Sequence, residues 1–394
     1  MAKVEWHQNL YFNSSAYWLL IPDDSALRGK RIETGNIVPD GPLSVNYGVS
    51  YLHFETDKIN PQASGLAWGN TSIREGGSFT QTVDLIHPVS STIATGSFGM
   101  IGNEKVSTNY NNTKHQASLA FNGVELANMQ WSYLGLKSNS FTIPAGKLNH
   151  GSQKFQITNN SDNPNSEPLI DYFTLAYTRQ LIYTSPFDFF ASVTSNNMTF
   201  SITGNTLKIW NITHPAHPEN IPVRTEGEQT KIRVSLPADT HQRFVVFNLD
   251  DIPTFTNLGS IGSKIWNQLR NPSNTANHII IGPSTFSTAS QPLVDHRQHT
   301  IFASLERIYG EFSGGNHDPI AIRHFLQWTQ VNWSQKPATV LFMGDADYDY
   351  RNITGQSNIQ VPTIQVGTNY SHATDDRLVA FNGIIPEMAT GRYT

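Results

Sequence analysis

Three carboxylates alternate in Asp345-Ala346-Asp347-Tyr348-Asp349. They directly follow the apolar, β-branched run Thr339–Gly344, TVLFMG. Such spacing resembles the opening of a calcium loop, in which oxygens from every second residue converge on one hard cation. A complete EF-hand loop also needs Gly at its sixth position and a carboxylate at its twelfth, where this chain has Tyr350 and Gln356. Asp345, Asp347 and Asp349 are therefore candidate calcium ligands outside any EF-hand. The alternative is that Asp345 caps a turn while the other two are solvated, the usual state of acidic loop residues. His214 with His217, and His296 with His299, are spaced like ligand pairs. A zinc site wants three or four ligands, so solvated loop histidines are the simpler reading. No G-x-S-x-G nucleophile elbow occurs. The chain has no Cys, which excludes disulfides, thiolate metal sites and a Cys nucleophile within these residues.

The remaining composition bounds what can position such groups. The 394 residues are 38% hydrophobic and only 14% charged, with a formal charge of -5. That is room for two or three domains. A weakly charged, aromatic-containing chain is globular rather than disordered. The acidic balance argues against a nucleic-acid face, which needs clustered Lys and Arg. No apolar run approaches the roughly 20 residues of a membrane span. Met1–Asn13 lacks the apolar middle of a signal peptide, which fits either a cytoplasmic protein or a mature or truncated piece of an exported one.

Up to about residue 182 the pattern predicts a β-sandwich. Phe79, Gln81, Val83 and Leu85 alternate with Thr80, Thr82 and Asp84, the period of a half-buried strand. Asn122-Gly123 between Ser118–Phe121 and Val124–Leu126 is a strong hairpin signal. Phe155–Thr158 and Leu169–Tyr177 are further strand candidates. Residues 183–253 continue in strands (Met198–Ile202, Thr206–Ile209 and Phe244–Phe247), either as a second small β-domain or as an extension of the sandwich. Trp18, Trp68, Trp131 and Trp210 could form a sugar-binding platform, but Trp at strand positions more often fills a sandwich core.

From residue 254 onward the pattern is α/β. Ile261–Leu269 has helical spacing, and His278–Ile281 ahead of Gly282-Pro283 reads as a buried parallel strand. Asp318-Pro319 supplies an N-cap and first-turn proline for a helix over Ile320–Trp333. The strand Thr339–Asp345 follows it. Strand, helix and strand in this order predict a parallel sheet.

Taken in sequence, several stretches resemble the gingipain-type cysteine peptidases. They are Asp171-Tyr172 with Arg179-Gln180-Leu181, Ile209-Trp210-Asn211-Ile212-Thr213, Ile308–Gly315 and Asp318-Pro319. TVLFMGD, Val361-Pro362-Thr363, Thr374-Asp375-Asp376 and Gly391-Arg392 complete the series. The similarity is greatest to PorU-type C-terminal signal peptidases (sortases) of the type IX secretion system. Two departures stand out: Asn211 replaces a usual Asp, and Pro283–Phe302 is short for the helix and strand the family has there.

The resemblance implies an N-terminal β-sandwich (1–182), a second β segment (183–253) and the first part of a gingipain-like α/β peptidase domain (254–394). It implies a His-activated Cys nucleophile, with both residues expected beyond Thr394, so that this chain by itself is inactive. An Asp at the matching Ser/Thr-Asp step holds the substrate arginine in Arg-cleaving relatives, which makes Asp375, with Asp376, the candidate substrate-binding residues. A capping role for Asp375 is the alternative. No cofactor is implied as required. Implied partners are secreted cargo carrying C-terminal signal domains, other type IX components and lipopolysaccharide, at the cell surface, outer membrane or periplasm. The rival is a non-catalytic surface-binding module, and a conventional secreted protease is a third reading.

Overall fold

The protein is described here by a computed structural model over residues 6–17, 29, 31–39, 43–61, 63, 66–106, 113–191, 195–236, 241–253, 268–367 and 371–394. These residues divide into two compact units. One gathers Trp6, 29–56 and 69–253; the other gathers 7–17, 57–68 and 268–394. The helix predicted over Ile261–Leu269 lies outside the described residues except at its end.

The first unit is a β-sandwich. In spatial order, Tyr47–Glu55, Leu169–Gln180, Ala94–Ile101 and Leu136–Ile143 are antiparallel neighbours at one end of a nine-stranded sheet. A four-stranded antiparallel sheet, ordered Ser78–Leu85, Gly151–Asn159, His115–Phe121 and Val124–Trp131, supplies the other half of its core. The alternation predicted from Phe79 to Leu85 is observed, although only Val83 and Leu85 reach full burial. Asn122 and Gly123 have φ of 48° and 85°, the double left-handed geometry that a tight primed hairpin turn requires. Phe155 sits at the centre, its ring 4.3 Å from Phe173, 4.9 Å from Phe121 and 6.0 Å from Phe141. Across the sheet, a Cβ on Gly96 would lie 2.2 Å from the Thr174 carbonyl oxygen. Only glycine permits that approach.

The same nine-stranded sheet continues through Phe187–Phe190, Arg243–Phe247 and Lys208–Asn211. A second four-stranded sheet, ordered Val223–Glu226, Gln229–Leu236, Ser195–Thr203 and Leu43–Val45, closes a second core over it around Phe189, Phe200 and Phe244. The strands on either side of Gly204-Asn205 join different sheets rather than each other. Gly204 (φ 143°) and Thr206 (φ 57°) turn the chain from one layer into the next.

His115 is buried in this unit, with Nδ1 2.8 Å from Ser166 Oγ and its ring 5.0 Å from Trp131. Burial pushes its pKa down to about 4, against a smaller upward pull from Glu104. A histidine with a depressed folded-state pKa refuses a proton that the unfolded chain accepts. Its contribution is therefore complete above pH 6.5 and is lost as pH falls toward 4, about 3 kcal/mol over that window. Thermal unfolding of the wild type between pH 7 and 4 is expected to fall more steeply than that of His115→Gln. Parallel profiles would contradict this.

The second unit holds a four-stranded, fully parallel sheet. Its elements are β1 (His278–Gly282), α1 (Ser287–His296), β2 (Thr300–Ser304), α2 (Leu305–Phe312), α3 (Pro319–Asn332), β3 (Thr339–Met343), α4 (Asp376–Val379) and β4 (Ala389–Tyr393). The spatial order is β2-β1-β3-β4. Ile279, Ile281, Val340 and Phe342 pack on one face against α2, α3 and α4. Asp318 caps α3 by accepting from the Ile320 N–H at 2.8 Å, with Pro319 in the first turn. Short as it is, Pro283–Phe302 holds α1 and the first residues of β2. The helix tolerates Pro292 in its middle. Ile308–Gly315 is the end of α2 and its cap: Gly314 and Gly315 have φ of 64° and 95°, and the Gly315 N–H returns to the Tyr309 carbonyl at 2.8 Å.

Candidate functional site at the carboxyl ends of the parallel strands

The chain leaves β1 in one direction to β2 and in the other, through β3, to β4. Open parallel sheets place their sites where the strand order reverses, outside the carboxyl ends. Beyond the carboxyl ends of β1 and β2, Ser284 donates from its N–H and its hydroxyl to the Glu306 carboxylate at 3.0–3.1 Å. Burial acts to raise the Glu306 pKa, yet hydrogen bonds from backbone N–H groups and the Ser284 and Ser304 hydroxyls hold it below the ordinary carboxylate value.

After β3 the chain turns at Gly344 (φ 135°), where a Cβ would come within 2.7 Å of Gln360 Cβ. The Asp345 N–H donates to Gln360 Oε1, and its carbonyl accepts from the N–H groups of Gln360 and Val361, all at 3.0 Å. Asp347 Oδ1 accepts from the Asp349 N–H at 3.0 Å. Asp349, 1% exposed, accepts at 2.8 Å from the Ile353 N–H, the Thr354 N–H and the Thr354 hydroxyl. The candidate metal ligands thus do not converge. Asp349 spends both oxygens folding its own loop, and Asp347 is turned onto that loop's backbone. Among the described residues no group of three His, Asp or Glu is placed to hold an ion.

Segments from the other end of the sequence grip this loop. The Tyr11 ring meets Tyr350 edge-on at 5.0 Å, and Trp68 stacks on Tyr348 at 5.9 Å. Arg351 forms an ion pair with Asp57, the side chains being 5% and 7% exposed. Asn13 donates to the Arg351 carbonyl at 3.1 Å. Burial, before any charge effect, raises the pKa of the Tyr350 phenol, which donates to the Thr363 carbonyl at 2.9 Å. No signal read along the sequence linked residues 7–17 and 57–68 to this loop.

Asp375 ends the short hairpin Ile364–Val366 and His372–Thr374 and precedes α4. Both its oxygens accept from Arg392 on β4: Oδ2 from Nε at 2.9 Å and Oδ1 from Nη2 at 2.6 Å. Arg392 Nη1 donates to the carbonyls of Gly344 and Val361 at 2.7 and 2.8 Å. The guanidinium lies 5.4 Å from the centre of the Phe342 ring. Three separated motifs of the sequence, Gly344-Asp345, Val361-Pro362-Thr363 and Thr374-Asp375-Asp376, are thereby tied to Gly391-Arg392. Asp376 beside it is exposed at the start of α4. The expected pair of substrate-binding carboxylates is therefore split, one taken up inside the chain and one facing solvent.

The remaining candidates lie elsewhere. His214 and His217 share a turn closed by a 2.8 Å backbone bond, and His296 ends α1. Trp68 and Trp131 are buried, and Trp210 is half-buried against Phe247. Trp18 lies outside the described residues.

Residues 271–394 match the model of Peptidase family C25. No curated protein matches the chain. Among solved structures, the dimeric latent PorU from Porphyromonas gingivalis superposes with a TM-score of 0.71 at 18% identity, over 92% of this chain and 38% of that one. This chain thus spans well under half of that protein's length. A CBM35 domain of Cellvibrio japonicus Abf62 gives a TM-score of 0.23 at 15% identity, over 33% of this chain and 97% of that one. The shared fold of this chain is that of PorU.

Proposed function

We propose that a chain with the PorU fold and a C25-matching parallel sheet is the leading part of a C25-type cysteine endopeptidase, comprising its β-domain and the first strands of its catalytic α/β domain. One observation carries this reading. The four parallel strands, in the order β2-β1-β3-β4, fall within the very residues that match the peptidase model. At the carboxyl end of β3 the loops are pinned together by Arg392. Chemistry in such a fold takes place beyond strand ends of this kind, and the nucleophile and base would be supplied by chain following β4.

The finer role we propose is removal of C-terminal signals from secreted cargo at the cell surface by a type IX signal peptidase. It is supported by the likeness to PorU and by the series of motifs from Asp171 to Arg392. Among the described residues no helix is long and apolar enough to cross a membrane, a statement that does not bear on β-barrels.

Peptidase chemistry of this type needs a thiolate, and this chain contains none. The pure 394-residue protein is expected to show no iodoacetamide-sensitive cleavage of peptide or cargo substrates. A gene reading on from Thr394 into a His and a Cys, with thiol-dependent cleavage by that longer product, supports the proposal. Cleavage by the 394-residue chain, or a longer product without thiol-dependent activity, overturns it.

A further inference from the structure

We infer that Asp375, the Gly344 carbonyl and the Val361 carbonyl form a guanidinium cradle that the chain fills with its own Arg392, so that Asp375 does not select an arginine of an incoming peptide. The geometry is that of arginine recognition. Two parallel N–H···O bonds of 2.6 and 2.9 Å reach one carboxylate, the fork-on-fork arrangement that a planar guanidinium makes and an ammonium cannot. Nη1 fills the rest of the fork with two carbonyls at 2.7 and 2.8 Å. The acceptors come from three places far apart in sequence: the turn after β3, the Val361-Pro362-Thr363 stretch and the residue before α4.

The occupant is fixed from behind. Arg392 lies in register opposite Phe342 on β3, and Gly344 bonds back to the Tyr393 carbonyl at 2.8 Å. The side chains of Arg392 and Asp375 are only 15% and 19% exposed. An external arginine would have to displace a tethered one that already satisfies every acceptor, and tethering gives the internal group a high effective concentration. The consequence for specificity rests on the peptidase reading above, whereas the cradle itself does not.

The test is chemical rescue in the intact 394-residue protein. Arg392→Ala leaves the carboxylate and two carbonyls without their donor, and its Tm is expected to fall by about 5 °C or more. Millimolar N-ethylguanidinium should restore at least half of that loss. Equimolar ethylammonium should restore none, and wild type should respond to neither. The double variant Asp375→Asn/Arg392→Ala should show no rescue. If Arg392→Ala does not fold on its own, refolding yield with each additive gives the same readout. An unchanged Tm, equal rescue by ethylammonium, or rescue of the double variant overturns the cradle. A full-length enzyme that cleaves only after arginine would overturn the specificity inference and leave the peptidase reading standing. A full-length protein without peptidase activity would overturn the peptidase reading and with it the consequence for specificity, and leave the cradle standing.

Discussion

Asp57→Asn is expected to destabilise the α/β unit by roughly 3–5 kcal/mol, the cost of stranding one member of a buried ion pair. Arg351 and Asp57 are 5% and 7% exposed, so water cannot take over the lost charge. The Gln8 amide bridges the same two side chains, its nitrogen 3.0 Å from Asp57 Oδ2 and its oxygen 2.7 Å from Arg351 Nη1. An amide at position 57 can still accept a hydrogen bond, but it offers no compensating charge in a low-dielectric setting. The damage should concentrate in the loop from Asp345 to Gln360, which Trp68 and Tyr11 also hold. Hydrogen exchange of the Ile353 and Thr354 amides, both donated to Asp349, should accelerate with the fall in stability. Unchanged protection at those amides would show that the loop holds itself.

Phe155→Ala is expected to cost a similar amount, about 3–5 kcal/mol, in the other unit. Phe155 is 1% exposed and touches three other phenylalanine rings contributed by both sheets of the sandwich. Strands on all sides fix the backbone, so the vacated space cannot collapse, and the cavity penalty adds to the lost transfer energy. Phe155→Leu keeps most of the volume and should recover the larger part. Measured by denaturant titration with probes in each unit, Phe155→Ala should shift the sandwich transition and Asp57→Asn the α/β transition. A chain of two units need not unfold in one step. A single transition moved equally by both substitutions would contradict this.

Much of the fold is legible along the sequence because local chemistry dictates it. Asn122-Gly123 announces its turn since both residues tolerate positive φ, and both adopt it. Asp318-Pro319 starts α3 because an acceptor side chain and a residue without an N–H suit a helix's first turn. HIII and TVLFM read as interior parallel strands because both of their faces are apolar, and they pair with each other in parallel. The turn at Gly204-Asn205 is also local, but its partners are not. The flanking strands sort into different sheets according to which distant strands cover their faces.

The site divides in the same way. The sequence by itself determined that there is no thiol, that acidic residues cluster after β3, and that a parallel sheet presents that cluster at its carboxyl end. Each of these follows from residue identity or from short-range periodicity. Tertiary structure alone decided what those carboxylates do. Asp349 turns inward onto Thr354, Asp375 is claimed by Arg392, and Asp57 arrives from nearly 300 residues away to meet Arg351. A carboxylate's partner depends on which charge the fold brings within about 3 Å of it and how far water is excluded there. Neither quantity is a property of the neighbouring sequence.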